Sequence, residues 1–141
     1  MRALGLDLGA RRIGVAVSDS EGRVATPITT LERGRDHGAD HQAIVELVGE
    51  WSAEIVAVGL PLSLDGTVGP AAQLVIDEVS ELARALDVPV ETVDERFTTV
   101  TAAQQLRASG VKGRKQKRVI DQGAAAVLLQ AWLDRQETKP S

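Results

Sequence analysis

An aspartate stands in the middle of the first apolar segment of the chain, residues 4–8. Alternation along the segment places three leucines on one face of a predicted strand and Asp7 on the other face, with Gly5 and Gly9. A buried carboxylate needs compensation by a cation or by strong hydrogen-bond donors, and the glycines leave room for a partner to approach. Asp7 is therefore a candidate functional residue. The plainer interpretation is an aspartate that caps the turn after the strand.

Two further acidic positions could join Asp7. Asp94 and Glu95 end a predicted strand at residues 88–94, and Asp121 lies near the start of the last predicted helix. An acidic residue there can simply stabilise the helix dipole, but helical spacing also places Asp121 on the apolar face. The apolar residues of that face are Ala124, Ala125, Leu128 and Trp132.

Three carboxylates at one edge of a sheet would repel one another and perturb one another's pKa values. A divalent metal ion with oxygen ligands relieves this repulsion, and Mg²⁺ or Mn²⁺ has the matching preference. Two such ions suit in-line hydrolysis of a phosphodiester, because one activates water and the other stabilises the leaving oxygen. The acids are therefore interpreted as metal ligands of a nuclease. From these patterns Asp94 and Glu95 remain equal candidates for the second position.

The elements that must position these acids follow from the apolar patterns. Three early strands separated by short turns indicate antiparallel hairpins, and strands that follow helices indicate parallel crossovers. The predicted strands are residues 4–8, 13–18, 24–31, 55–60 and 88–94, and the predicted helices are residues 36–51, 70–86, about 98–109 and about 119–136.

The predicted fold class is α/β: a mixed five-stranded sheet, with three antiparallel N-terminal strands and then two parallel ones, flanked by helices. The first, fourth and fifth strands would be neighbours, and ligands gather at the carboxyl ends of such strands. The chain of 141 residues is predicted to form one domain over residues 1–137, with a frayed tail at 138–141. The second helix is predicted to pack through one stripe: Val75, Val79, Leu82, Ala83 and Leu86.

Composition narrows the class of protein. The chain is 43% hydrophobic but only 2% aromatic, so its core must be aliphatic. Without cysteine, a disulfide framework, a thiolate zinc site and a cysteine nucleophile are excluded. Neither a signal peptide nor a membrane span is recognisable, so a cytoplasmic protein is expected. The net charge of −4 argues weakly against a passive nucleic-acid binder.

Positive charge is concentrated just before Asp121. This basic segment could bring a phosphate backbone to the acids, and the alternative is a solvated mobile loop. Three other arginines, Arg11, Arg12 and Arg96, follow predicted strands and could contact phosphate or form salt bridges. The residues of the basic segment are Lys112, Arg114, Lys115, Lys117 and Arg118.

Two other patterns resemble functional motifs but are predicted to be structural. His37 and His41 have the spacing of a zinc-binding helix, yet Gly38 stands where that motif has glutamate. We therefore expect a solvated helix start. The glycines of residues 9–14 have the spacing of a phosphate-binding loop, but Val15 stands where that loop has lysine.

Four segments together resemble the YqgF (RuvX) family of pre-16S rRNA nucleases. The resemblance extends from about Leu4 to Trp132, and four motifs in order are far more specific than any single one. The matching segments are GLDLG followed by RIGVAVSD at residues 5–9 and 12–19, VGLPL with DG at 58–62 and 65–66, DERFTT at 94–99, and Asp121 with Ala124 and Ala125.

The resemblance implies a ribonuclease H-like fold related to Holliday junction resolvases. It also implies that Asp7, Glu95 and Asp121 are the catalytic acids and hold Mg²⁺ or Mn²⁺, so that Glu95 is favoured over Asp94. The implied activity is maturation of the 5′ end of pre-16S rRNA in the cytoplasm. Cleavage of DNA structures is a further activity that such a fold could support.

Two alternatives stay open at this point. The turn after Asp7 is similar to the phosphate-binding hairpin of the actin and sugar-kinase ATPases, although those proteins need a second domain. A non-catalytic RNA-binding factor for ribosome assembly could keep the acids as a structural metal site. The choice of RNA or DNA, endonuclease or exonuclease, the metal, and whether the protein is a homodimer are not decided by these patterns.

Overall fold

The computed structural model describes residues 1–98 and 114–138. Its elements are those that the apolar patterns predict, with shifts at several ends, and a single 3-10 turn at Glu95–Phe97 follows the last strand. In chain order the elements are β1 Ala3–Leu8, β2 Arg12–Ser18, β3 Ala25–Glu32, α1 His37–Trp51, β4 Ile55–Leu60, α2 Pro70–Ala85, β5 Val90–Asp94 and α3 Arg114–Thr138.

The strands form one sheet in the order β3-β2-β1-β4-β5. The first three strands are antiparallel, and β1, β4 and β5 are parallel neighbours. Short turns produce the hairpins: Asp19 Oδ1 accepts the backbone N–H groups of Arg23 and Val24, at 2.7 and 3.2 Å. The predicted mixed five-stranded sheet and its strand neighbours are confirmed.

Each face of the sheet has its own core. The α1 and α2 side contains larger aliphatic residues such as Leu4, Leu6 and Leu82. The other side packs Ala3 and the alanines of neighbouring strands against α3. This side is close-packed because β1 has no side chain at Gly5: a Cβ there would lie 2.7 Å from Leu129 Cβ. The helix therefore lies directly on the central strand.

Two helices differ from the predictions. The last helix begins at Arg114, five residues before the expected start, so most of the basic segment is helical. On α2, the predicted stripe is confirmed at Val75 and Leu82, but Ala83 is exposed and Glu78 is buried instead. The helix predicted at residues 98–109 lies outside the described residues, except for Thr98. In the described part of the chain, no helix is long and apolar enough to cross a membrane.

Candidate metal centre at the carboxyl edge of the sheet

Asp7 lies one residue before the end of β1 and is only 5% exposed. It shares a face with Gly5, which contacts α3, and it is opposite Gly14 of the neighbouring strand β2. Glycine before it and glycine opposite it leave its carboxylate without a crowding side chain at either position. The structure thus places Asp7 where the alternation predicted, on the side of the sheet that α3 covers.

Glu95 follows β5 directly and is also 5% exposed. Its Oε1 lies close over Gly59, because a Cβ built on that glycine would be 2.9 Å away. Gly59 follows Val58, the β4 residue opposite Leu6 of β1, and is therefore level with Asp7 on the adjacent strand. Adjacent strands are about 4.8 Å apart. The structure therefore brings Asp7 and Glu95 to the same region of one face.

Asp121 lies on α3, and its side chain is outside the described residues. The position of its backbone along β1 can be estimated from the contacts that α3 makes with the sheet. Ala125 and Leu129 meet Gly5, whereas Leu133 lies farther back, in a cavity that it shares with Met1. The helix therefore runs antiparallel to β1. Two strand residues span about 6.6 Å, which corresponds to between four and five helical residues. The part of α3 that is level with Asp7 is therefore about residues 121–125, and a place for Asp121 beside Asp7 and Glu95 stays a prediction.

Asp94 and Glu95 have different roles in the structure. Asp94 accepts hydrogen bonds from the Arg96 guanidinium, with Nη2 at 2.7 Å, and from the Arg96 backbone N–H at 3.0 Å. The Arg96 hydrogen bonds hold the pKa of Asp94 below its ordinary value. Asp94 therefore caps the 3-10 turn and fixes Arg96, while Glu95 faces the sheet. This arrangement favours Glu95 over Asp94 as the acid beside Asp7.

Two of the three arginines near this edge form ion pairs within the protein. Arg12 Nε forms a salt bridge with Glu32 at 3.2 Å. Arg96 joins Asp94 to the loop after β4, because its Nη1 donates to the Leu64 carbonyl at 3.3 Å. For these two residues, the structure shows the salt bridge that the sequence left as the alternative. Arg11 is exposed in the turn after β1. Phosphate binding by any of the three stays a prediction.

The basic segment is only partly described. Lys112 lies outside the described residues, and the other four basic residues lie in the first two turns of α3. Because α3 runs antiparallel to β1, these turns are at the carboxyl edge of the sheet. Their side chains are not among those described, so a contact with nucleic acid stays a prediction for Arg114, Lys115, Lys117 and Arg118.

A buried charge cluster on the opposite face was not foreseen. Arg33 donates to both oxygens of Glu78, at 2.6 and 2.8 Å, to Asp40 at 3.2 Å and to the Gly9 carbonyl at 3.0 Å. Arg33 therefore connects the turn after β1 to α1 and α2 by hydrogen bonds. One signal for Glu78 was available: it is three residues after Val75 and four before Leu82, within the predicted apolar stripe.

The expected solvated helix start at residues 37–41 is confirmed for the exposed residues 37–39 but is wrong for the two residues that follow. Asp40 and His41 are buried, and His41 Nε2 lies 2.9 Å from Glu78 Oε2. His37 is half exposed and contacts Glu81 of α2. The burial follows from the packing of α1 on α2, which the sequence spacing of the histidines does not reveal. His37, His41 and Glu78 form a group that could hold a metal ion, but they lie across the sheet from Asp7.

The structure also explains why position 59 is occupied by glycine. A Cβ there would lie 2.5 Å from Leu128 Cδ1 and 2.9 Å from Glu95 Oε1. In Gly59→Ala we expect Glu95 to be displaced, with nuclease activity reduced by about 10- to 100-fold and stability by about 1–3 kcal/mol. Cleavage rates and urea unfolding would test this. Gly49→Ala is the control, because a Cβ there meets nothing within 4 Å. Full activity of Gly59→Ala would contradict the expectation.

Comparison with known proteins identifies the family. The model of the RuvX family, described as Holliday junction resolvase, matches residues 1–135. The chain belongs to the RuvX family. The resemblance drawn from the four motifs is thereby confirmed, and with it the prediction that the protein is a hydrolase acting on phosphodiester bonds.

Curated relatives cover most of the chain. A protein of Streptomyces coelicolor is 52% identical over 134 residues, which is 94% of this chain and 80% of that protein. One of Mycobacterium ulcerans is 49% identical over 138 residues, with 97% and 81% covered. One of an Anaeromyxobacter species is 47% identical over 135 residues, with 96% and 98% covered. All three are provisionally named pre-16S rRNA nuclease.

Among solved structures, RuvC of Thermus thermophilus in complex with a Holliday junction substrate is similar to this chain. The identity is 18%, the TM-score is 0.57, and the match covers 98% of this chain and 97% of that one. At this identity the likeness concerns the fold. The predicted ribonuclease H-like fold is confirmed.

Proposed function

We propose that the protein is a divalent-metal-dependent nuclease that matures the 5′ end of pre-16S rRNA in the cytoplasm. The observation that carries the proposal is the pair of buried carboxylates at the carboxyl edge of a ribonuclease H-like sheet: Asp7 near the end of β1 and Glu95 directly after β5, with Gly59 of β4 between them. Two carboxylates that face the same region repel each other, and a shared cation relieves that repulsion. The names of the curated relatives support precursor rRNA as the substrate.

The three acids fit a hard divalent cation. Asp7, Glu95 and Asp121 offer oxygen ligands alone, which suits Mg²⁺ or Mn²⁺ better than zinc or copper. When bound, such ions supply an activated water and a counter-charge for the leaving oxygen. The contribution of the chain is to hold the acids in place. Gly59 gives Glu95 its space, and Gly5 lets α3 lie directly on β1, on the face that Asp7 shares.

The substrate would be held mainly by its phosphates. The start of α3 concentrates positive charge beside the acids, and the chain is too poor in aromatic residues for recognition by base stacking. We propose that Arg114, Lys115, Lys117 and Arg118, with Lys112 before them, contact the backbone. Arg11 is an exposed candidate in the turn after β1, whereas Arg12 and Arg96 already form ion pairs with Glu32 and Asp94.

A labelled precursor rRNA that retains its 5′ leader provides the test. Incubation with Mg²⁺ or Mn²⁺ should shorten it to the mature end, and EDTA should stop the reaction because the acids need the ion. The mature 16S rRNA is the matched control and should remain intact. Binding without cleavage would instead favour a non-catalytic assembly factor, and turnover of ATP would favour the kinase-like alternative.

Cleavage of DNA structures is the second candidate. It is favoured by the description of the family model and by the fold shared with a resolvase that was solved on a Holliday junction. A four-way DNA junction in the same assay distinguishes the two, because a resolvase cuts it faster than the rRNA precursor. Symmetric cutting of a junction needs two active sites, so this activity also predicts a homodimer, which the solution mass would show.

A further inference from the structure

A second group of side chains that could hold a metal ion lies between α1 and α2, across the sheet from Asp7 and Glu95. His37 and His41 are one helical turn apart on α1, and Glu78 and Glu81 are nearly one turn apart on α2. His41 Nε2 lies 2.9 Å from Glu78 Oε2, and His37 Nδ1 lies 2.6 Å from Glu81 Oε2. The two imidazole rings are 5.5 Å apart.

The charges around these histidines do not balance. Asp40, Glu78 and Glu81 contribute three carboxylates, and Arg33 is the guanidinium that contacts Glu78 and Asp40. Two negative charges therefore remain. Asp36 and Arg84 also line the cavity outside the histidines, and their charges cancel. One of the two remaining negative charges belongs to the buried pair of Asp40 and Glu78 and is costly in the absence of a cation, whereas the other is on half-exposed Glu81. A divalent metal ion would supply the missing positive charge.

The geometry points to a divalent metal ion. We propose that His37, His41 and Glu78 bind a borderline-soft ion such as Zn²⁺, at a site separate from the nuclease centre. One ligand atom from each of these residues lies within 4.8 Å of the others. Zinc ligands at about 2.0–2.1 Å in a tetrahedron are roughly 3.3 Å apart, close to the separation already present between His41 and Glu78. His37 is half exposed, so its side chain has room to adjust toward the other two ligands.

The surroundings fit this occupant. Two imidazoles with one carboxylate are a ligand set typical of zinc, whereas the nuclease acids offer oxygen alone. Glu81 Oε2 accepts a hydrogen bond from the His37 ring, as outer-shell carboxylates do to orient ligating histidines. An open cavity of about 610 Å³, lined by His37, His41 and Glu81, gives an ion access from solvent. The bound ion would join α1 to α2 and stabilise their packing.

Zinc binding by the full-length protein tests the proposal. Isothermal titration with Zn²⁺, in the presence of excess Mg²⁺ to fill the nuclease centre, should show one site, and Zn²⁺ should raise the melting temperature. His37→Gln should weaken binding roughly tenfold or more, since even loss of an outer-shell partner costs 10–100-fold. His37 is half exposed, so this variant should fold. Asp7→Asn is the matched control and should bind Zn²⁺ like the wild type.

Each outcome decides the proposal. Binding lost in His37→Gln and kept in Asp7→Asn supports it, whether or not the protein proves to be a nuclease. Binding lost in Asp7→Asn and kept in His37→Gln places the zinc among the nuclease acids and overturns it. Absence of zinc binding in the wild type also overturns it.

Discussion

Asp7→Asn should abolish cleavage and leave the fold intact. An amide holds a divalent cation poorly, and loss of a direct ligand should cost more than the 10–100-fold seen for outer-shell partners, so the rate should fall by more than about 100-fold. Stability should be unchanged or higher in EDTA, because a neutral side chain is cheaper to bury than the carboxylate. Cleavage of labelled precursor and urea unfolding of the same preparation measure both quantities.

Asp87→Asn is the matched control for this variant. Asp87 is an exposed aspartate between α2 and β5, at the opposite edge of the sheet. The same change of charge there should leave the cleavage rate as it is. Substantial cleavage by Asp7→Asn, in a preparation free of contaminating nucleases, would show that Asp7 is not a ligand of the catalytic metal. Loss of structure in Asp7→Asn would show that Asp7 acts in folding instead.

Arg33→Met should be among the most destabilising single substitutions in the chain. It removes the guanidinium that contacts Glu78 and Asp40, and leaves both carboxylates buried. Breaking a buried ion pair in this way costs about 3–5 kcal/mol. Methionine keeps most of the apolar part of the arginine side chain, so the decrease in stability measures mainly the removal of the positive charge. Urea unfolding at pH 7 measures this decrease in the free energy of unfolding. Arg23→Met is the control, because Arg23 is largely exposed.

The pH dependence distinguishes this mechanism from a simple packing defect. Burial raises the pKa of Glu78, but the hydrogen bonds from Arg33 and His41 outweigh it and lower the pKa below 4.5. The free energy of unfolding of the wild type should therefore decrease as the pH falls through the lowered pKa of Glu78, because the unfolded chain binds the proton first. In Arg33→Met the effect of burial should dominate, so the difference in stability between the two proteins should narrow on acidification. A difference that is constant from pH 7 to pH 4 would contradict the charge argument.

The strands were predictable because their signals are local. The alternation in β1 placed Asp7 correctly, and the uninterrupted apolar run of β4 gave both of its ends, Ile55 and Leu60. The short turns forced the first three strands into hairpins, which left β1, β4 and β5 to pair in parallel. Period and turn length are properties of adjacent residues, so a single sequence contains them.

The remaining features depend on contacts between distant segments. Arg33 and Glu78 are 45 residues apart, and their pairing follows from the packing of α2 beside the end of β3, which no local pattern contains. The burial of His41 has the same origin. The early start of α3 is a different kind of error. Residues 114–118 were interpreted from their charge, although lysine, arginine and glutamine are all good helix formers.

The ion pair between Arg96 and Asp94 has a consequence for how substrate binding should respond to salt. An arginine that neutralises a phosphate releases counterions, and each such contact adds roughly 0.7–0.9 to the slope of log affinity against log salt concentration. Arg96 already has a carboxylate partner and also holds the loop after β4. Its replacement should therefore change the shape of the edge, and hence the cleavage rate, while the salt slope stays nearly the same. The counterions released on binding would then come mainly from the first turns of α3.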